Sequence, residues 1–307
     1  MRRRLSRRAF LKGSAAAGLL QASRLFAAER PMPLADLGRT GERVSLAGLG
    51  TAEWGQGLPA KTADAIVARA LDLGVNYFDT APSYGQGHAE THLGRALKGR
   101  RDKVLLATKT LARDRKGALR ELETSLGRLA TDRIDLWQFH ALAKTRDTDL
   151  LLREDGALAA GLEAQRKGLV RFLGITGHAD PAVFVNALER HAFDTLLIPL
   201  NCIDPHHRSF EETALPAATA KRTGVIAMKV YCSGRLVRDG IATPLECLRY
   251  TYGLPVATCI VGCTGVEELE VAAHAARNLE PMGDEERAAL RARTKPFSPG
   301  LEWYKRG

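Results

Sequence analysis

A chain of 307 residues, 45% apolar and 26% charged, has a globular composition and can fill either one large α/β barrel or two ordinary domains. The formal charge of +10 does not imply nucleic acid, because residues 1 to 28 hold seven Arg/Lys and no Asp/Glu and leave only +3 for the remainder. Five cysteines, Cys202, Cys232, Cys247, Cys259 and Cys263, form no CxxC pair and no Cys/His spacing of metal type, so no metal site is expected and they read as small buried residues.

Residues 1–28 read as a targeting segment. Ser6-Arg7-Arg8-Ala9-Phe10-Leu11-Lys12 resembles the twin-arginine (Tat) export consensus, the weakly apolar Gly13 to Leu20 stretch follows, and Phe26-Ala27-Ala28 offers a small-residue cleavage site. The apolar run is too short and too rich in Ala and Gly to span a bilayer, so no stable membrane insertion is expected. The expected partner is the Tat export machinery and the expected location periplasmic or exported, with residues 29–307 as one folded domain.

Beyond the leader, Met32-Pro33-Leu34 and Val44-Ser45-Leu46 flank Gly38-Arg39-Thr40-Gly41 and predict a hairpin. Buried strands are predicted at Ala47–Thr51, Val75–Asp79, Val104–Lys109, Ile134–His140, Val170–Thr176, Thr195–Leu200, Val225–Val230 and Val256–Val261, each a short apolar run. Helical spacing is predicted between them at 61–73, 90–98, 116–129, 158–167, 181–191, 210–222, 244–252 and 266–279, with one more helix at 284–294. Gly74 is placed to end the first of these. Eight βα units with no Gly-rich dinucleotide fingerprint after the first strand favour a (β/α)8 TIM barrel over a doubly wound sheet.

In such a barrel the chemistry lies at the carboxyl ends of the strands. Asp79, Lys109 and His140 close three consecutive strands, and Tyr84 follows Asp79 by five residues. Adjacent strands are ~4.8 Å apart, so the four side chains can converge. Lys109 is expected to lower the Tyr84 pKa, Asp79 to neutralise Lys109, and His140 to direct a hydrogen bond at a substrate carbonyl oxygen. The set suits proton-coupled reduction of C=O; it contains neither an acyl-transfer nucleophile nor a glycosidase carboxylate pair.

Phe78-Asp79-Thr80-Ala81-Pro82-Ser83-Tyr84-Gly85, followed by Glu90 and Gly94, is similar to the first signature of the aldo-keto reductases, and the resemblance runs from about Pro31 to Leu279. It implies a nicotinamide dinucleotide bound in extended form, a small-molecule carbonyl substrate, and Asp79, Tyr84, Lys109 and His140 as the catalytic tetrad. For the nucleotide it implies Thr176, with His178 beside it, and Asn201 at the carboxamide, and Met228 and Lys229 where an aromatic normally stacks. Ser233, Gly234 and Arg235 would cover the pyrophosphate, and Gly262, Thr264 and Glu268 would meet the adenosine half. The family default leans to NADP(H) over NAD(H), although Thr264 stands where a basic residue usually meets the 2′-phosphate and Ala272 where an Asn touches adenine. Trp54 is expected in the substrate mouth, Trp303 reads as a packing anchor, and adjacent His206 and His207 are not arranged to share a metal. The alternative to an enzyme is a nucleotide-binding sensor or regulatory subunit of the same fold. Nothing in the pattern fixes an oligomeric state.

Overall fold

The computed structural model describes residues 30–305, and the leader assigned to residues 1–28 lies outside them. From Met32 onward the chain forms one compact unit. A two-stranded antiparallel hairpin, β1 (Leu34–Asp36) and β2 (Arg43–Ser45), precedes eight parallel strands. These are β3 (Ala47–Gly50), β4 (Tyr77–Asp79), β5 (Leu105–Thr110), β6 (Ile134–Phe139), β7 (Val170–Thr176), β8 (Thr195–Pro199), β9 (Gly224–Met228) and β10 (Thr258–Gly262). They close in chain order, β10 pairing with both β9 and β3, so the fold is a (β/α)8 barrel.

Two layers of apolar side chains follow from the period of two along each strand. Tyr77, Leu105, Ala107, Leu136, Leu197 and Ile226 point into the barrel, and Leu37 and Val44 of the hairpin pack with them as a plug. Burying a Leu or Val completely is worth about 1.5–3 kcal/mol, which is why this short hairpin stays docked. Arg39 at its tip donates to the carbonyls of Ala192 and Phe193, both at 2.6 Å. The alternate strand residues face the helices, where Trp137, Phe139, Phe184 and Leu93 form the larger outer core.

Most helix boundaries fall within two residues of the sequence prediction, and Gly74, at φ 74°, terminates the helix Ala60–Asp72. Two differences have local causes. The helix predicted over 210–222 is only Ala214–Ala220, because Asp204 accepts from Ser209 Oγ and from the Glu211 amide and holds that stretch as a loop. A helix at Thr145–Leu151 was not expected; Asp147 starts it by accepting from the amides of Ala143 and Lys144, a role that Asp fills without a Ser or Thr cap.

Candidate active site

Strand register sets the centre of the site. Asp79 lies opposite Ala107, and Lys109, two residues further along β5, lies opposite Gln138 on β6. All three polar side chains therefore point into the barrel at its carboxyl end. Lys109 Nζ donates to Asp79 Oδ1 and, at 2.7 Å, to the Thr80 carbonyl, while Gln138 Nε2 donates to Asp79 Oδ2 at 3.0 Å. A buried ion pair survives desolvation only with such additional bonds. Burial raises the Asp79 pKa against the pull of Lys109; the ammonium, which burial alone would depress, is held above its ordinary value by Asp79 and Tyr84.

Tyr84 reaches the same point from the loop after β4. Lys109 Nζ stands 4.8 Å from the centre of its ring, and the His140 ring meets it edge-on with centroids 6.2 Å apart. The loop is fixed by a backbone-to-backbone contact. Gly85 adopts φ 53°, and a Cβ added there would lie 1.9 Å from the Gly55 Cα. Gly55 belongs to the 3₁₀ turn that follows β3, so strands β3 and β4 jointly aim the phenol.

The electrostatics correct one expectation. Burial raises the Tyr84 pKa above its ordinary value, and Lys109, which pulls downward, does not win. The phenol is thus a proton held ready, not a pre-formed phenolate. Burial first, then Lys109, His178 and Arg113, push His140 down to about 2, so its imidazole is neutral. Its Nδ1 is buried with no hydrogen-bond partner among the described residues.

This depression has a measurable sign. The unfolded imidazole, with an ordinary pKa near 6.5, binds a proton that the folded one refuses, so His140 costs stability as pH falls from about 6.5 toward 2. Acidifying from about pH 7 to about pH 5 should remove about 2 kcal/mol through this residue. Urea midpoints of wild type and His140→Gln at both pH values check it; an equal pH dependence of the two would contradict the assignment.

A cavity of about 870 Å³ opens above the tetrad, lined by Asp79, Tyr84, Lys109 and His140 at one end and by Thr264, Glu267, Glu268 and Val271 at another. Its floor is the next layer of inward side chains, Leu197, Met228 and Ile260, with Thr176 beside them. Lys229, Ser233, Gly234 and Gly262 also line it, as the sequence suggested. Lys229, Cys232, Ser233 and Gly234 all have left-handed backbone, φ 59°, 48°, 57° and 80°. Cys232, Ser233 and Gly234 are three such residues in succession, and strain of this kind gathers where ligands bind.

Three expected residues lie elsewhere. Trp54 is fully buried, its indole donating to the Cys263 carbonyl at 2.9 Å, so it packs the β3–β10 junction and takes no part in the mouth. Asn201 is also buried: it donates to the Lys229 carbonyl and to Tyr304 Oη and accepts from the Ile203 and Asp204 amides. It therefore shapes the Lys229 turn from behind. Arg235 turns away, donating to the Gly300 carbonyl at 2.7 Å, and Arg238, one helical turn on, lines the cavity instead. Glu53 and Arg238 were missed, with only their nearness to Trp54 and Arg235 in sequence to hint at them, and Glu267 lines the cavity beside Glu268. Trp303 is half exposed, with Lys229 Nζ 5.4 Å from its ring centre, while its neighbour Tyr304 is buried.

This donor set fits an extended dinucleotide: an apolar floor for a planar ring, left-handed amides and Lys229 for a pyrophosphate, and a polar far end for a ribose. Comparison with known proteins agrees with the barrel. The Aldo/keto reductase family profile matches residues 47–246, and the chain belongs to that family of oxidoreductases. It is similar to the aldo-keto reductase YhdN of Bacillus subtilis (strain 168), 31% identical over 66% of this chain and 62% of that protein, so the match spans less than two thirds of that relative. L-galactose dehydrogenase of Arabidopsis thaliana is 30% identical over 66% of this chain and 67% of its own length. Among solved structures, the holo form of aldo-keto reductase AKR11C1 from Bacillus halodurans superposes with a TM-score of 0.70 at 25% identity, covering 85% of this chain and 96% of that one. An aldo-keto reductase from Klebsiella pneumoniae in complex with NADPH has a TM-score of 0.72 at 23% identity, over 87% and 96% of the two chains, a likeness of fold.

Proposed function

We propose that the protein is an NAD(P)-dependent oxidoreductase that interconverts aldehydes, ketones or sugars with the corresponding alcohols, Tyr84 serving as the acid. The observation that carries this reading is the Asp79–Lys109 ion pair set beneath a protonated Tyr84 at one end of a cavity of about 870 Å³. When bound, the nicotinamide supplies or accepts the hydride. Tyr84 gives its proton to the substrate oxygen, and Lys109, anchored by Asp79 and the Thr80 carbonyl, stabilises the phenolate left behind. Neutral His140 orients the carbonyl by hydrogen bonding. Met228, Lys229, Ser233 and Gly234 would hold the nucleotide, with Thr176 at its reactive end. The test is oxidation of NADH and NADPH across a panel of aldehydes, ketones and sugars. Nucleotide binding without turnover on any of them would favour the sensor alternative.

The leader supports a second part of the proposal. Ser6 to Lys12 follow the Tat order, and among the described residues no helix is long and apolar enough to cross a membrane. We read the protein as exported in folded form with its nucleotide retained. Changing Arg7-Arg8 to Lys-Lys should leave it in the cytoplasm by cell fractionation; normal export of that variant would refute the leader reading.

A further inference from the structure

The far end of the cavity carries an unusual density of acid. The helix Val266–Arg277 begins there, and Glu268 in its first turn folds back over its own N-terminus: Oε2 accepts from the Thr264 amide at 2.6 Å and from the Gly265 amide at 2.9 Å, and Thr264 Oγ1 lies 3.3 Å from both carboxylate oxygens. These amides and this hydroxyl are the groups that a phosphate at this helix end would need. They are already taken by an anion.

Two further carboxylates flank it. A Cβ on Gly265 would lie 2.7 Å from Glu267 Oε2, and one on Gly262 would lie 2.3 Å from Glu53 Oε2, so both acids rest against the rim formed by residues 262 to 265. All three line the cavity, whose lining cations beyond the tetrad are Lys229 and Arg238. Lys229 donates to Ser233 Oγ at 3.1 Å and shares its field with Glu53, and Arg238 donates to Asp239 at 3.1 Å, so among the described residues no cation is paired with Glu267 or Glu268.

We propose that this site selects NAD(H) over NADP(H), and that Glu268, reinforced by Glu267, is the residue that does so. This rests on the reading of the cavity as a dinucleotide site. A dinucleotide whose reactive ring reaches Tyr84 and His140 must lay its other nucleoside toward the acidic rim. A vicinal diol is a pair of donors, and a carboxylate with about four lone-pair positions has capacity left after its two amide bonds. A 2′-phosphate instead brings about −1.5 to −2 charges against the carboxylates of Glu267 and Glu268 and finds the helix amides occupied. The family's lean toward NADP(H) has no cation at Thr264 to support it.

The experiment is titration of the purified full chain with NADH and NADPH by nucleotide fluorescence, for wild type, Glu268→Gln and Glu267→Gln. Wild type should bind NADH at least about tenfold more tightly, the scale of one screened charge contact. Glu268→Gln keeps an acceptor for the helix cap and so should fold, and it should narrow the ratio mainly by strengthening NADPH. Glu267→Gln should narrow it less. Equal or tighter NADPH binding by wild type, or an unchanged ratio in Glu268→Gln, overturns the assignment of selectivity. Failure of both nucleotides to bind wild type overturns the dinucleotide reading itself, and the selectivity with it.

Discussion

Replacing Tyr84 with Phe should lower kcat for carbonyl reduction by about 10²- to 10⁴-fold, the usual contribution of a positioned general acid, while nucleotide affinity stays unchanged. The substitution deletes one oxygen from a ring that keeps its contacts: the Lys109 ammonium 4.8 Å from the centroid and the edge of His140. Packing and the Asp79–Lys109 pair remain, so the loss reports the proton and not the fold. Because burial holds the wild-type phenol above its ordinary pKa, reduction should stay flat through neutral pH and fall only on the alkaline side, and the residual activity of the variant should lack that alkaline limb. A variant that turns over like wild type would remove Tyr84 from the chemistry.

The second large effect comes from a position with no reactive group. Gly85→Ala should cost at least about 10²-fold in kcat, because a shift of about 1 Å in a reacting group is enough for that loss. Its new methyl would sit 1.9 Å from Gly55 Cα and 2.4 Å from the Gly55 carbonyl oxygen, backbone that cannot swing aside, and φ 53° is unfavourable for Ala besides. Two companions separate these causes. Gly55→Ala meets the same wall from the other side, with Gly85 Cα at 2.1 Å and no positive φ of its own. Gly57→Ala has φ 92° with nothing within 4 Å, so it carries backbone strain alone, about 1 kcal/mol of stability. Activity should fall in the first two and persist in Gly57→Ala. If all three lose activity equally, the Gly55–Gly85 contact is not what aims Tyr84.

How much of this was legible in the sequence depended on which direction information runs along the chain. The barrel strands could be read because a strand buried on both faces must be an apolar run, and Asp79, Lys109 and His140 stood out as polar residues closing such runs. Register then brought Asp79, Lys109 and Gln138 onto one face, yet nothing local marked Gln138 as the second partner of Asp79. Asn201 and Arg235 were misread because a residue type suited to a ligand is equally suited to a turn: Asn201 satisfies the loop around Lys229, and Arg235 the C-terminal segment at Gly300. Trp54 was misread because the residue beside a pocket-lining Glu53 points the other way. The direction of the Tyr84 shift was beyond the sequence for another reason: Lys109 can be paired with it by strand arithmetic, but the desolvation that outweighs Lys109 is a property of the whole enclosure.

The five cysteines, each fully buried and unpaired, bear on the history of the chain before it ever meets substrate. A polypeptide threaded unfolded into an oxidising compartment would present an odd number of thiols with no complete pairing available, and every mispairing would have to be undone before Cys202, Cys247 and Cys259 could return to the core. A chain that closes its barrel first shields all five from oxidants, since thiolate chemistry needs access that these sulfurs do not have. Under the folded export proposed above, all five thiols would cross already enclosed in the core.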